Sequence, residues 1–180
     1  MKRFLACILL GGLFIIPAQA ALNIGEKAPD FTAQASLAGK EFTFTLNEAL
    51  KNGPVVLYFY PKAFTGGCDL EAHLFAEAND QFKALGASVV GVSHDDIATL
   101  NRFSMEKCQN KFAVAADTDQ HIMKAYDAIL EKKPEYANRT SYVIAPDHTV
   151  LYTYTDLDPT HHVENTMAAV QKWANEHKGK

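Results

Sequence analysis

Val55-Val56-Leu57-Tyr58-Phe59-Tyr60-Pro61-Lys62-Ala63-Phe64-Thr65-Gly66-Gly67-Cys68-Asp69-Leu70-Glu71-Ala72-His73-Leu74-Phe75 passes from a strand pattern through a turn into a helix pattern. Its first six residues are apolar throughout and rich in β-branched and aromatic side chains, which suits a central strand covered on both faces. Pro61 and the Gly66-Gly67 pair make a turn. From Cys68 onward Leu70, Leu74, Phe75, Phe82 and Leu85 recur at helical spacing, and Gly86 is a C-terminal stop. A strand thus hands over through a turn to a helix, with Cys68 in or just before the first helical turn. Unpaired backbone N–H groups and the positive end of the helix dipole favour a thiolate there, which makes Cys68 a candidate reactive cysteine.

Working outward, Ala87 to Ser93 is the next strand, and its pairing with 55–60 across the intervening helix is expected to be parallel. Asp95 or Asp96 can cap a following helix whose Ile97, Leu100 and Phe103 share a face and whose last turns reach Cys108. Phe112 to Ala116 is a short strand, and Asp117-Thr118-Asp119 can cap a helix running through Ile122, Met123, Tyr126 and Ile129. Thr140 to Ile144 and Thr149 to Tyr154 pair as a hairpin around Pro146-Asp147-His148, and Val163 to Trp173 closes the chain as an amphipathic helix. Upstream, 22–31 is an irregular lead-in with a short strand near Phe31. Glu41 to Leu46 alternates as a half-buried strand, and 46–51 holds one helical turn. The expected class is α/β, a mixed central sheet flanked by helices on both faces.

Residues 1–20 read as an export signal. Lys2 and Arg3 precede an apolar stretch from Leu5 to Ile16, and Ala18-Gln19-Ala20 offers small residues for cleavage. The apolar stretch is shorter than the ~20 residues of a membrane-spanning helix, so no stable membrane association is expected. Residues 21–180 then form one ordinary domain. Of 17 basic residues two leave with the signal, so the mature balance is 15 basic against 21 acidic, or −6, which offers no basic patch to nucleic acid. Cys7 lies early in the signal, and Phe4-Leu5-Ala6-Cys7 only faintly matches a lipoprotein cleavage box. The mature chain keeps Cys68 and Cys108, and in an exported protein an even pair first suggests a permanent structural disulfide.

Taken one by one, Pro61 reads as a strand end, Thr65 as a helix cap and Arg139 as a surface cation. Together the residues resemble a family. Tyr58-Phe59-Tyr60-Pro61-Lys62, then Thr65-Gly66-Gly67-Cys68 and Glu71-Ala72, look like the active-site stretch of peroxiredoxins, specifically the Q-type or bacterioferritin-comigratory subgroup. Gly25-x-x-Ala28-Pro29-Asp30-Phe31, Val90-Gly91-Val92-Ser93 and Arg139-Thr140-Ser141-Tyr142-Val143-Ile144 lie where that family has its supporting segments. The resemblance implies a thioredoxin-like sandwich and a peroxidase that reduces hydrogen peroxide and organic hydroperoxides without metal or cofactor. Cys68 would be the peroxidatic nucleophile and become a sulfenic acid. An ordinary thiol, with a pKa of roughly 8.5, is mostly protonated near neutrality, so the helix start and Arg139 would have to favour the thiolate. By the same resemblance Thr65 orients substrate and thiolate, Pro61 shields the thiolate from water, and Arg139 contacts thiolate and peroxide oxygens. The backbone N–H groups of Gly67 and Cys68 would complete the oxyanion side.

Family members that form an internal disulfide carry a second cysteine either one and a half turns after the first or on the next helix. Here the nearer position is His73. Cys108 falls about one turn beyond where the resolving residue aligns, and a spacing of i to i+4 keeps the same face. Cys108 is therefore the candidate resolving cysteine, the alternative being a bystander thiol and an enzyme resolved from outside. A thioredoxin-like protein or a small thiol would be the reductant, and the subgroup implies a monomer or homodimer. Asp69 would slightly oppose thiolate formation, Phe64 makes the mouth apolar and hints at organic hydroperoxides, and Ala145 replaces an expected Asp. His73, His94, His121, His148, His161 and His162 follow no standard zinc spacing, and the Asn138-Arg139-Thr140 sequon reads as coincidence. Two other functions stay open: a periplasmic thiol–disulfide oxidoreductase or redox sensor, and a non-catalytic metal- or partner-binding module. The absence of Cys-x-x-Cys weighs against the disulfide exchanger.

Overall fold

Among residues 21–177, which the computed structural model describes, the chain runs β1 (Thr32–Leu37), β2 (Lys40–Thr45), α1 (Leu46–Leu50), β3 (Val55–Phe59), α2 (Gly66–Ala84), β4 (Ser88–Ser93), α3 (Ile97–Glu106), β5 (Ala113–Ala116), α4 (His121–Ala125), β6 (Thr140–Ile144), β7 (Val150–Thr155) and α5 (His162–His177). The export signal read over residues 1–20 lies outside the described residues. No helix among them is long and apolar enough to cross a membrane.

The strands form one mixed sheet in the order β2-β1-β5-β4-β3-β6-β7. As expected, β3 and β4 pair in parallel, Leu57 opposite Val90, while β3 and β6 pair antiparallel, Tyr58 opposite Ser141. Every residue of β3 is buried because both faces are covered. The two-residue period sends Val55, Leu57 and Phe59 to a core shared with Leu46 and Leu50 of α1 and Ile122 and Met123 of α4. Val56 and Tyr58 point the other way, into a core with Phe75 and Phe82 of α2, Leu100 and Phe103 of α3 and Val170 of α5. Cys68 and Cys108 both belong to this second core. Gly91 on β4 is required there: a Cβ on it would stand 2.7 Å from the Tyr58 ring.

The whole of β1 is a strand where only a short piece near Phe31 was expected. Its Ala33, Ala35 and Ser36 are buried yet are weak strand formers. Their small size lets α3 lie close, with Ser36 Oγ 3.2 Å from Ser104 Oγ. Two helices end early. In α4 the expected run to Ile129 stops at Ala125, because Asp127 turns left-handed (φ 49) and Ala128 N–H returns to the Met123 carbonyl. In α3 the helix stops at Glu106, Cys108 N–H returns to the Phe103 carbonyl, and Gln109 and Asn110 take φ 51 and 59. Cys108 therefore sits in the turn after α3, outside the helix. Asp117, Asp119 and His121 bring potential ligand atoms within 4.8 Å of one another, but Asp117 is occupied as the cap of α4, accepting from the N–H groups of Ile122 and Met123.

Candidate active site

The turn between β3 and α2 positions the site. Phe64 adopts a left-handed backbone (φ 60), uncommon for an aromatic residue, just before the extended Thr65 that precedes the helix. Packing holds it there: the Phe64 ring meets Phe103 edge-on at 5.3 Å, and the Arg102 guanidinium lies 5.0 Å over its face. One residue earlier, Ala63 N–H donates to Asp95 Oδ2 at 2.8 Å, and the same oxygen accepts from Ser93 Oγ. The end of β4 thus anchors the turn. Cys68 follows as the third residue of α2, 2% exposed and with a free thiol, where first-turn N–H groups lack helical partners.

Arg139, the residue before β6, reaches this thiol from the neighbouring strand. Its Nη2 lies 3.5 Å from Cys68 Sγ, Nε donates to the Leu157 carbonyl at 2.9 Å, and Nη1 pairs with Glu71 Oε2. Glu71 is fully buried one helical turn after Cys68, so i to i+3 spacing puts the carboxyl and thiol on one face. Burial pushes the Glu71 carboxyl up to about 8, against the opposing pull of Arg139. Arg139 in turn loses water, yet the attraction of Glu71 and then Cys68 holds it above its ordinary value. Its guanidinium also crowds Gly67, where a Cβ would stand 3.1 Å from Nη2.

The pocket thus holds a buried thiol at a helix start with a fork of N–H donors beside it, donors placed to meet negative charge that develops on a group reacting with the sulfur. The AhpC/TSA family profile matches residues 24–153. The chain belongs to the AhpC/TSA family. Chloroplastic peroxiredoxin Q of Populus jackii is 31% identical over 153 residues, covering 84% of this chain and 70% of that one. Peroxiredoxin Bcp of Escherichia coli is 27% identical over 161 residues, covering 87% of this chain and 97% of the relative. A crystal structure of Xylella fastidiosa PrxQ has a TM-score of 0.77 at 27% identity, covering 87% of this chain and 99% of that one. The thioredoxin-like peroxiredoxin fold and the thiol peroxidase chemistry expected from the sequence follow from this membership.

In this peroxiredoxin the structure brings Cys68, Gly67 and Arg139 together and sets Thr65 and Pro61 in the same turn. Thr65 stands at the N-cap position, but its hydroxyl makes no cap bond; it is exposed and donates to the Lys62 carbonyl at 2.9 Å. Pro61 is half-buried at the end of β3. Cys108 is fully buried and free, and burial, with Asp69 next, pushes its thiol well above the ordinary range. Its neighbours clip that turn to α2: Lys107 Nζ binds Asp69 Oδ2 at 2.8 Å and Gln109 Nε2 lies 2.8 Å from His73 Nδ1.

The sequence places Glu71 and Ser141 only within the family-like segments and His162 only among histidines without zinc spacing, and it marks neither the Asp156 nor the Leu157 carbonyl. The helical spacing from Cys68 could have flagged Glu71 as a carboxylate facing the core. Nothing local marks His162, which is buried only because α5 docks on β6 and β7. The raised Glu71 carboxyl has a measurable consequence. A carboxyl whose native pKa is about 8 against an ordinary 4.5 binds more protons folded than unfolded between those values. Its contribution to stability is thus complete below the lower value and lost as pH rises through the upper. The urea midpoint of the wild type is expected to fall between about pH 5 and about pH 8, and Glu71→Gln is expected to flatten that slope. An unchanged slope in the variant defeats the assignment.

Proposed function

We propose that this peroxiredoxin reduces hydrogen peroxide and organic hydroperoxides through Cys68. The carrying observation is the free, buried Cys68 thiol at the start of α2 with Arg139 Nη2 at 3.5 Å. The thiolate attacks the near oxygen and the O–O bond breaks; the near oxygen keeps its hydrogen and makes Cys68 the sulfenic acid, while the far oxygen leaves as hydroxide or alkoxide and takes a proton from solvent water. Arg139 and the first-turn N–H groups of Gly67 and Cys68 face the leaving oxygen's charge. Thr65 turns its hydroxyl from the Lys62 carbonyl toward the peroxide, and Pro61 closes the pocket against water. The half-buried Phe64 ring at the mouth favours an apolar hydroperoxide tail.

Cys108 then resolves the sulfenic acid: its thiol attacks Cys68, water leaves, and an internal disulfide remains for a thioredoxin-like or small-thiol donor to reduce. The clips from Lys107 and Gln109 to α2 support this reading, since they keep the Cys108 turn against Asp69 and His73, either side of the second turn of the helix that carries Cys68. In the closed form the Cys108 thiol is held protonated by burial, so disulfide formation requires the start of α2 to unwind. Mass spectrometry after one equivalent of peroxide is expected to show a Cys68–Cys108 bond in wild type and a sulfenic acid or mixed disulfide in Cys108→Ser. A persistent sulfenic acid in wild type sinks the internal route. We further propose export to the periplasm with cleavage after Ala20, resting on Lys2, Arg3, Leu5 to Ile16 and Ala18-Gln19-Ala20, and a monomer or homodimer as the working form.

A further inference from the structure

Glu71 and His162 face each other behind Arg139. His162 opens α5 and is fully buried. Its Nε2 lies 2.9 Å from the Asp156 carbonyl, which can only accept, so Nε2 carries a hydrogen. In the neutral ring Nδ1 is then a lone pair that accepts from Ser141 Oγ–H at 2.8 Å, and Glu71 Oε1 lies 3.7 Å from it, beyond hydrogen-bond distance. Glu71 Oε2 holds Arg139, whereas Oε1 is buried without a hydrogen-bond partner among the described residues. A bare carboxylate oxygen in such a place is costly. A proton on Oε1 removes the cost, and the imidazole 3.7 Å away is the adjacent base that offers it a second site, with Ser141 Oγ then accepting from Nδ1–H instead of donating to it.

We propose that His162 is a positioning residue of the peroxidase reaction: with Glu71 it holds one proton, and that proton decides whether Arg139 faces a neutral acid or a carboxylate. With the proton in place the pair is neutral and the guanidinium directs its charge at Cys68 and the departing oxygen. Without it, the Glu71 carboxylate competes for the same cation. The proposal rests on the roles of Cys68 and Arg139 given above. Other charged or titratable groups surround the pair. Arg139 precedes β6, Tyr154 of β7 lies 4.8 Å from the imidazole, Asp156 and Asp158 lie in the β7–α5 loop, and Tyr58 of β3 faces Glu71. Burial, the largest influence on both, raises the Glu71 carboxyl and lowers the His162 imidazole, so each favours its neutral form.

The test is the single-turnover rate of the reduced protein with hydrogen peroxide from about pH 6 to about pH 10. Wild type is expected to lose about tenfold on the alkaline side, the effect of an interaction worth about one pKa unit at the reacting centre. Glu71→Gln keeps a neutral group before Arg139 and is expected to lose that decline. His162→Leu removes the second site for that proton and is expected to move the decline to lower pH. Should His162→Leu fail to fold, the imidazole nitrogen resonances of His162 in wild type and Glu71→Gln carry the decision. In wild type Nδ1 should respond over the pH range of the rate decline, and in Glu71→Gln that response should vanish. Profiles that superimpose after scaling, or a His162 blind to Glu71, overturn the proposal. Cys68→Ser, run in parallel, separates the two readings: peroxide consumption surviving there would strike at the nucleophile and not at the proton pair.

Discussion

Cys68→Ser is expected to bring dithiothreitol-dependent peroxide consumption down by about a thousandfold or more, to the rate without protein. A serine hydroxyl at the same place has the same helix start and the same Arg139 beside it, but it does not ionise near neutrality and does not form the sulfur–oxygen bond on which turnover depends. The exchange replaces a buried sulfur by a smaller hydroxyl in a pocket that already presents an N–H donor at 3.5 Å, so the folding cost is modest, about 1 kcal/mol. Peroxide consumption read beside a urea midpoint separates lost chemistry from lost fold. Turnover that survives in Cys68→Ser and disappears in Cys108→Ser reverses the two roles.

Arg139→Met is expected to lower kcat/KM by about a hundredfold to a thousandfold, the usual consequence of removing a donor aimed at developing negative charge. Methionine keeps much of the apolar stem, so the packing against the Leu157 loop largely survives. The variant also leaves Glu71 alone in the core. Breaking a buried ion pair costs about 3–5 kcal/mol when the remaining partner stays charged. Glu71, however, already has its carboxyl pushed up to about 8 and can take a proton instead. The destabilisation is therefore expected to be small near pH 6 and to grow toward pH 9. Adding Glu71→Gln is expected to remove that pH dependence and restore stability without restoring activity. A double variant that regains peroxidase activity demotes Arg139 to a structural counter-ion.

The legible parts of the molecule share a cause. The β3–α2 unit, the parallel partner β4 and the β6–β7 hairpin are written in local periodicity and turn residues, and each appears within a residue or two of its expected bounds. Where the reading missed, neighbours decided. β1 is a strand of Ala and Ser because α3 needs close approach, and its weak propensity is overridden by pairing with β2 and β5. The ends of α3 and α4 depend on left-handed residues, Gln109, Asn110 and Asp127, that carry no glycine to announce them. For α3 the difference bears on the role proposed for Cys108, since it puts that residue in a turn held by side chains of α2 instead of on a helical face.

The stretch from Val55 to Phe75 contains enough to place a candidate reactive cysteine at a helix start, because strand composition, turn chemistry and helical spacing act over a few residues. It contains nothing of what stands behind the thiol. Arg139 arrives because β6 pairs with β3 in a register that sets Thr140 opposite Phe59. His162 is there because α5 docks on β6 and β7, and only in that company does Glu71, one helical turn past Cys68, become a buried acid with a raised pKa. Burial and charge pairing are properties of positions in space. Those positions exist only after strands and helices distant in sequence have packed together.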